Sequence, residues 1–460
     1  MQVAAVDCNH LTTEQLIYLM ENRGQKHMVE TSKPSLYGHT QPSDRFVYGT
    51  LAGLLLVGLA LRIFIAHVSL GGLAREYEYD EGGYVTVAMR IAQGLGFVDS
   101  SGKPTSFLSP GLPFLVAIPI SLLGHNIVVI RVLMCLIESL LIPACYLLGA
   151  SISGSRQVGL IAAAIAVLFP TWIVPSGTVM TDIPAAILIV CTGWMLIEAY
   201  HRKSPTWCAG SGILWGVATM VRPVTLSYAP GIIVWLLLVF PGWKMRLSAV
   251  AATLIAFTFV VAPWSIRNTY VYGTFVLTST QGGSELYKAN NPNATGILAV
   301  DHMLFSETLQ QRYPKEEYPN EAVRSEMFQA DARRFILENP RRFAELCFIR
   351  FIQLWKVYSP RVPLIDNVAV IGSLGLALPF FLIQVIRSGW RRGPEMLLVL
   401  IVLCHTAVHV VYTSIVRYRI PIEPLVIILA IQGFYWAFGR IDHRVEEGEE
   451  CGMITSEQYR

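Results

Sequence analysis

Acids and arginines are scarce in this chain, and those that occur at the edges of apolar runs are of types that do chemistry: Asp80-Glu81, Asp182, Arg222, Arg267 and the run Arg417-Tyr418-Arg419. Charge at membrane level is costly and usually persists only where it has a partner or a substrate. A carboxylate held at the mouth of a membrane cavity can accept a proton from an attacking hydroxyl. The planar guanidinium fork suits a phosphate. Such a set fits an anionic, lipid-borne substrate, provided the chain brings its members to one side of a membrane.

Composition supplies that membrane. Of 460 residues 53% are hydrophobic and 15% charged, and the mean hydropathy of +0.49 excludes an ordinary soluble domain. A net charge of +3, spread in short basic clusters, does not point to nucleic acid. Of the eight cysteines, Cys135, Cys145, Cys191, Cys208, Cys347 and Cys404 lie in apolar segments with no CxxC pair or metal-ligand spacing, and read as packing residues.

A crossing helix needs about 20 apolar residues. The candidates are Phe46 to His67, Ile127 to Leu148, Val158 to Pro175, Ile183 to Tyr200, Trp207 to Val221, Leu226 to Phe240, Leu247 to Pro263, Asn367 to Ile386, Glu395 to Val416 and Ile420 to Phe438. The expected fold is therefore an all-α polytopic membrane protein with about ten transmembrane helices, range 9–12. Residues 1–45 lack the apolar core of a signal peptide and read as a cytoplasmic tail. Arg156, His201-Arg202-Lys203, Lys244 with Arg246, Arg387 with Arg391 and Arg392, and the tail 439–460 then also fall in the cytoplasm, the positive-inside pattern. Residues 68–126, the turn Ser176 to Asp182 and the stretch 264–366 fall outside.

The organisation this implies is a transmembrane catalytic module over 46–263, an extracytoplasmic loop domain over 264–366 and C-terminal spans over 367–438. Trp207 to Val221 and Leu226 to Phe240 are short for full crossings, and a re-entrant pair is the alternative. Gly83 to Gln93, Pro110 to Leu123 and Asp331 to Tyr358 read as interfacial helices roofing a cavity.

Several of the charged positions have two readings. Asp80-Glu81 and Asp182 each stand where a helix begins, so each is an N-cap or a site carboxylate. Arg222 either meets an anion or snorkels, and Arg267 either reaches lipid phosphate or anchors at the interface. His405 and His409 have the spacing at which two imidazoles on one helix share a metal, but no third ligand stands in the same turn. Histidines hydrogen-bonded between helices are the commoner case. No P-loop and no internal repeat of transporter type is present.

The order of these motifs along most of the chain resembles the GT-C type membrane glycosyltransferases, which include the protein O-mannosyltransferases and the aminoarabinose transferases. The segments are YEYDEGGYVTVAMR, GTVMTDIPAAIL, GVATMVRPVT, APWSIRN and SIVRYRIPIEP. The resemblance implies an inverting transfer of a sugar from a polyprenyl-phosphate donor to an extracytoplasmic acceptor, which is a glycan, lipid, cell-wall polymer or protein. It implies Asp80 as catalytic base with Glu81 and Asp182 beside it, and Arg222, Arg417, Arg267 and Arg419 as donor phosphate ligands, Arg417 favoured within its run. Tyr84 and Tyr418 are the expected substrate-contacting aromatics, Tyr418 either stacking on the sugar or marking the interface. Members differ in needing a divalent cation such as Mg or Mn. Here Leu108-Ser109-Pro110-Gly111 stands where the family usually has His-Pro-Pro, so that element offers no metal ligand. A transporter or flippase of an anionic lipid, and a non-catalytic scaffold, are the rival classes.

Overall fold

The computed structural model describes residues 42–78, 80–315, 317–358 and 364–438, so the expected tails 1–45 and 439–460 lie almost wholly outside the described residues. Among the described residues the chain is helical, and extended pairing is confined to one bridge, Val98 with Pro104. Helix α1 (Asp44–Ser69) is capped by Ser43, which accepts the Phe46 N–H at 3.4 Å. The first loop carries α2 (Asp80–Ala92) and α3 (Gly111–Leu123). They pack through Val85, Ala88, Leu112 and Val116 onto Ile130 and Met134 of α4 (Ile127–Ser139).

With α5 (Leu141–Ser153), α4 forms one span-length rod. The expected Val158 to Pro175 span is instead a 13-residue α6 (Arg156–Leu168) and a single turn α7 (Pro170–Ile173). Proline disfavours helical geometry in the residue before it, and Phe169 is extended at φ −65°, ψ 119°.

Next comes a helical hairpin, α8 (Asp182–Arg202) and α9 (Pro205–Val221), turned at Lys203 in a left-handed conformation. A 3₁₀ turn (Pro223–Tyr228) leads into α10 (Ala229–Val239), and the 30-residue α11 (Trp243–Tyr272) follows. Lipid tails are as apolar as leucine, so helices in a membrane gain most from close packing of small residues. Gly212 of α9 meets α11 so closely that a Cβ there would sit 2.2 Å from the Thr253 carbonyl oxygen.

The loop domain holds α12 (Gln281–Ala289), α13 (Leu298–Arg312), α14 (Glu321–Glu338) and α15 (Pro340–Trp355). Its core is Leu286, Tyr287, Phe305, Phe328 and Ala332. The single interfacial helix expected over Asp331 to Tyr358 is broken at Asn339, again just before a proline. The chain ends with α16 (Leu364–Val370), α17 (Leu376–Gln384) and α18 (Pro394–Val411), then a 3₁₀ turn (Val416–Ile422) that opens α19 (423–438).

Seven described helices are long and apolar enough to cross a membrane. Of the expected spans, the one at Val158 comes out shorter, as Arg156–Leu168, while those at Trp207 and Leu226 come out slightly longer, as Pro205–Val221 and Pro223–Val239, and all three fall outside the seven.

Candidate functional site

The α8–α9 hairpin sends the chain out from Asp182 and back to Arg222, so residues at its two open ends meet. Arg222 Nη1 donates to Asp182 Oδ1 at 2.5 Å and to the Thr181 hydroxyl at 3.3 Å. Arg417 Nε donates to the other carboxylate oxygen, Oδ2, at 2.8 Å. Asp182 is buried, and both its oxygens are engaged by arginine. It is not an N-cap: Thr181 holds that position without a capping side-chain bond.

Pro223 cannot extend α9 and turns Arg222 to an extended conformation, φ −144°, which directs it away from the helix. Gly111, in the segment that departs from the family pattern, lets α3 dock here. A Cβ at that position would lie 2.9 Å from the Val221 nitrogen, immediately before Arg222.

Two turns thus carry the arginines, and His405 bridges them. Its Nε2 is 2.7 Å from the Tyr418 carbonyl oxygen, so it donates there, which leaves Nδ1 to accept from the Tyr228 hydroxyl at 2.8 Å. His409 Nδ1 donates to the Thr413 carbonyl at 3.0 Å. The imidazole rings stand 4.5 Å apart; both nitrogens of His405 are engaged, whereas His409 Nε2 has no partner among the described residues. Tyr418 stacks near the site, its ring centroid 5.4 Å from the Arg222 guanidinium and 5.1 Å from His409.

The acidic pair is divided. Glu81 is buried, and its Oε1 accepts from Arg131 Nη1 at 3.2 Å and from the Val179 N–H at 2.7 Å. It fastens the first loop to the 176–182 turn, so its carboxylate is engaged where that of Asp80 is not. Asp80 is exposed and makes no hydrogen bond or ion pair among the described residues. Tyr84 lies close by, its phenol pushed up by burial and pulled back by Arg222. Tyr77, beneath the Arg131 guanidinium, is pushed up to about 12 by burial, with Arg131 opposing and Glu81 adding.

Asp80, Asp182 and Arg417 line one cavity of about 290 Å³ together with Glu138, Thr178 and Ile420. A second cavity of about 540 Å³ lies against the next residues of α2, Gly82, Gly83 and Thr86, and is walled by Lys288, Glu321 and Arg324 of the loop domain. Glu321 ties that domain to the first loop, accepting from the Thr105 hydroxyl at 2.8 Å and the Ser106 N–H at 3.1 Å.

Two expected phosphate ligands are fasteners instead. Arg267 spends its guanidinium on the Thr105 carbonyl at 2.9 Å, the Ser106 hydroxyl at 2.7 Å and the Phe97 carbonyl at 3.0 Å, with the Trp264 ring beneath it. Arg419 is fully buried and donates to Glu423 at 2.6 Å and to the Leu354 and Lys356 carbonyls at 2.9 Å. Glu423 in turn accepts from the Thr171 hydroxyl and the Trp172 indole. Among the described residues no three His, Cys, Asp or Glu side chains are grouped to hold a metal. Glu81 and Asp182 are each paired with arginine, while Asp80 and Glu138 on the same wall make no ion pair among the described residues.

Sequence reasoning passed over Arg62, Arg131 and Glu138, all buried inside apolar spans. The signal was available, since charge within a span is itself a flag.

Comparison with known proteins bears on this arrangement. Residues 103–266 match the family described as dolichyl-phosphate-mannose-protein mannosyltransferase. The oligosaccharyltransferase AglB from Archaeoglobus fulgidus, solved with an inhibitory peptide and a dolichol-phosphate, superposes with a TM-score of 0.57 at 17% identity over 88% of this chain and 52% of that one. The fold is of the GT-C type. A second structure of the archaeal enzyme, with Zn and sulfate, gives a TM-score of 0.55 at 16% identity, covering 88% of this chain and 51% of that one. The chain spans about half the length of the archaeal enzyme. ArnT from Cupriavidus metallidurans bound to undecaprenyl phosphate is also similar, at 14% identity, TM-score 0.41, covering 83% of this chain and 77% of that one. No curated protein matches the sequence.

Proposed function

We propose that the chain is an integral-membrane inverting glycosyltransferase that moves a sugar from a polyprenyl-phosphate donor to an acceptor hydroxyl on the extracytoplasmic side. The observation that carries this reading lies in one cavity: Arg417, held by its Nε to Asp182 and with its terminal nitrogens unengaged among the described residues, shares a wall with the unpaired Asp80. The open edge of that guanidinium suits a phosphate. The free carboxylate suits a proton acceptor.

In this mechanism Asp80 takes the proton of the acceptor hydroxyl as its oxygen attacks the anomeric carbon from the face opposite the phosphate. The bond between that carbon and the phosphate oxygen breaks, and the electron pair leaves with the polyprenyl phosphate. Arg417 and Arg222 stabilise the growing charge, where preorganised donors act most strongly. Asp182 holds the two arginines in place, and Tyr418 and Tyr84 border the sugar.

The donor lipid has an apolar path along the 3₁₀ turn and α19: Ile420 of the turn lines the reaction cavity, and Ile427 and Ile431 of α19 line a groove of about 770 Å³. The cavity behind Gly82 and Gly83 is the natural place for the acceptor. The bound dolichol-phosphate of the archaeal relative and the matched mannosyltransferase family support a lipid-phosphate donor. The positive-inside distribution of basic loops supports the extracytoplasmic side.

The test is to incubate purified protein in nanodiscs with a panel of polyprenyl-phosphate sugars and membrane extract, following release of polyprenyl phosphate. Release that depends on Asp80 supports the assignment. Intact lipid binding without release from any donor would overturn it in favour of a lipid carrier.

A further inference from the structure

Glu138 lies on α4, 1% exposed, and forms part of the wall of the cavity that holds Asp80, Asp182 and Arg417. One carboxyl oxygen is satisfied: Oε2 accepts the Gly177 N–H at 3.1 Å. Oε1 receives no hydrogen bond among the described residues, and no ion pair is made. The two nearby arginines make no hydrogen bond to Glu138; their terminal nitrogens bond elsewhere, and the Nε of each has no hydrogen-bond partner among the described residues. Arg62 donates to the Trp172 carbonyl at 2.6 Å, the Ser176 hydroxyl at 3.3 Å and the Ala166 carbonyl at 3.3 Å. Arg131 donates to Glu81, the Gly177 carbonyl and the Arg75 carbonyl.

A carboxyl oxygen left without a protein partner on a cavity wall is one that a bound group can complete. Hydrocarbon offers no such group, whereas a sugar hydroxyl does. The 176–182 turn also holds the pieces in register. Gly177 fixes Glu138, Val179 fixes Glu81 beside Asp80, and Asp182 clamps Arg417.

We propose that Glu138 is a specificity-determining residue for the donor sugar, its Oε1 hydrogen-bonding one hydroxyl of the sugar while Arg417 holds the phosphate. This rests on the glycosyl-transfer reading of the same cavity. The hydroxyl is one that lies away from the reacting carbon, so the contact selects among sugars without taking part in bond making. Gln at 138 keeps an acceptor for Gly177 and a polar atom at the cavity. Leu keeps neither.

The experiment measures binding. Wild type, Glu138→Gln and Glu138→Leu in nanodiscs are titrated with a short polyprenyl phosphate, bare or carrying the sugar that wild type prefers, and with single-deoxy analogues of that sugar. Glu138→Leu should lose about tenfold or more in affinity for the sugar-bearing lipid, the worth of one hydrogen bond to an ionisable group, and less than about twofold for the bare lipid. One deoxy analogue should bind wild type and Glu138→Leu equally, and Glu138→Gln should recover part of the loss. An equal loss for bare and sugar-bearing lipid, or no analogue that cancels the difference, overturns the contact. Turnover by wild type is scored separately: its absence sinks the transferase reading, while the binding comparison still decides the role of Glu138.

Discussion

Arg417 donates from Nε to Oδ2 of Asp182 at 2.8 Å although 235 positions separate the two residues in the chain. That contact joins the start of α8 to the turn before α19 and sets a cation at the cavity wall. The terminal nitrogens of Arg417 make no hydrogen bond among the described residues, which leaves them for an anion. Arg417→Ala should weaken binding of polyprenyl phosphate about tenfold or more, as for the loss of charge-assisted hydrogen bonds, with the thermal midpoint nearly unchanged. An unaltered Kd in a lipid titration would take Arg417 out of the phosphate site.

Removing Asp182 has a different consequence. Its partner Arg222 keeps only 12% of its side chain exposed, so Asp182→Ala strands a desolvated guanidinium. Breaking one side of a buried pair costs about 3 kcal/mol or more. The variant should therefore unfold at a clearly lower temperature, and Asp182→Asn should fall between it and wild type. A thermal midpoint equal to wild type would mean that the clamp is not needed to hold the arginines.

The division of the acidic pair predicts opposite phenotypes for neighbouring positions. Asp80→Asn should lower kcat by about 100-fold to 10,000-fold, the usual range for a lost general base, with donor affinity retained. Glu81→Gln removes the charge facing buried Arg131 and should lower stability first. Rapid turnover by Asp80→Asn would refute its role as base.

Alkaline stability tests the packing of the first loop. The Tyr77 phenol rises from 10.0 to about 12 through burial, opposed by Arg131 and reinforced by Glu81. A folded-state value above the unfolded one means that the contribution is intact below pH 10 and is lost as pH climbs towards about 12. Its hydroxyl has no hydrogen-bond partner among the described residues, so Tyr77→Phe should cost little at neutral pH and flatten the alkaline fall. Parallel melting curves for the two proteins above pH 10 would contradict this.

Chelation should leave turnover unchanged, because the site carboxylates Glu81 and Asp182 are already paired with arginine and no metal-holding group is formed among the described residues. Activity abolished by EDTA and restored by Mg or Mn would show that a cation replaces one of those ion pairs.

Much of the architecture is legible in local sequence. Apolar runs of sufficient length report spans, and Pro184, Pro205 and Pro223 stand in first turns, where the missing N–H has no intrahelical partner to lose, although Pro119, Pro263 and Pro379 lie inside helices. The placement of Asp80, Asp182, Arg222 and Arg417 at the rims of those runs follows from the same pattern. The break at Phe169-Pro170, which shortens an expected span, follows from the same rule and could have been read from it.

What the sequence by itself determined was the helical membrane class and the short list of charges near a membrane edge, because burial in lipid forbids unpaired backbone and makes every charge conspicuous. Which of those charges are free for chemistry was decided only by tertiary structure. Glu81 and Asp80 are adjacent and of like charge, yet one is consumed by Arg131 and the other faces a cavity. Arg417 and Arg419 differ in the same way, one reaching Asp182 at the cavity and the other closed on Glu423. The partner that neutralises a side chain comes from a distant helix, and no local spacing records it.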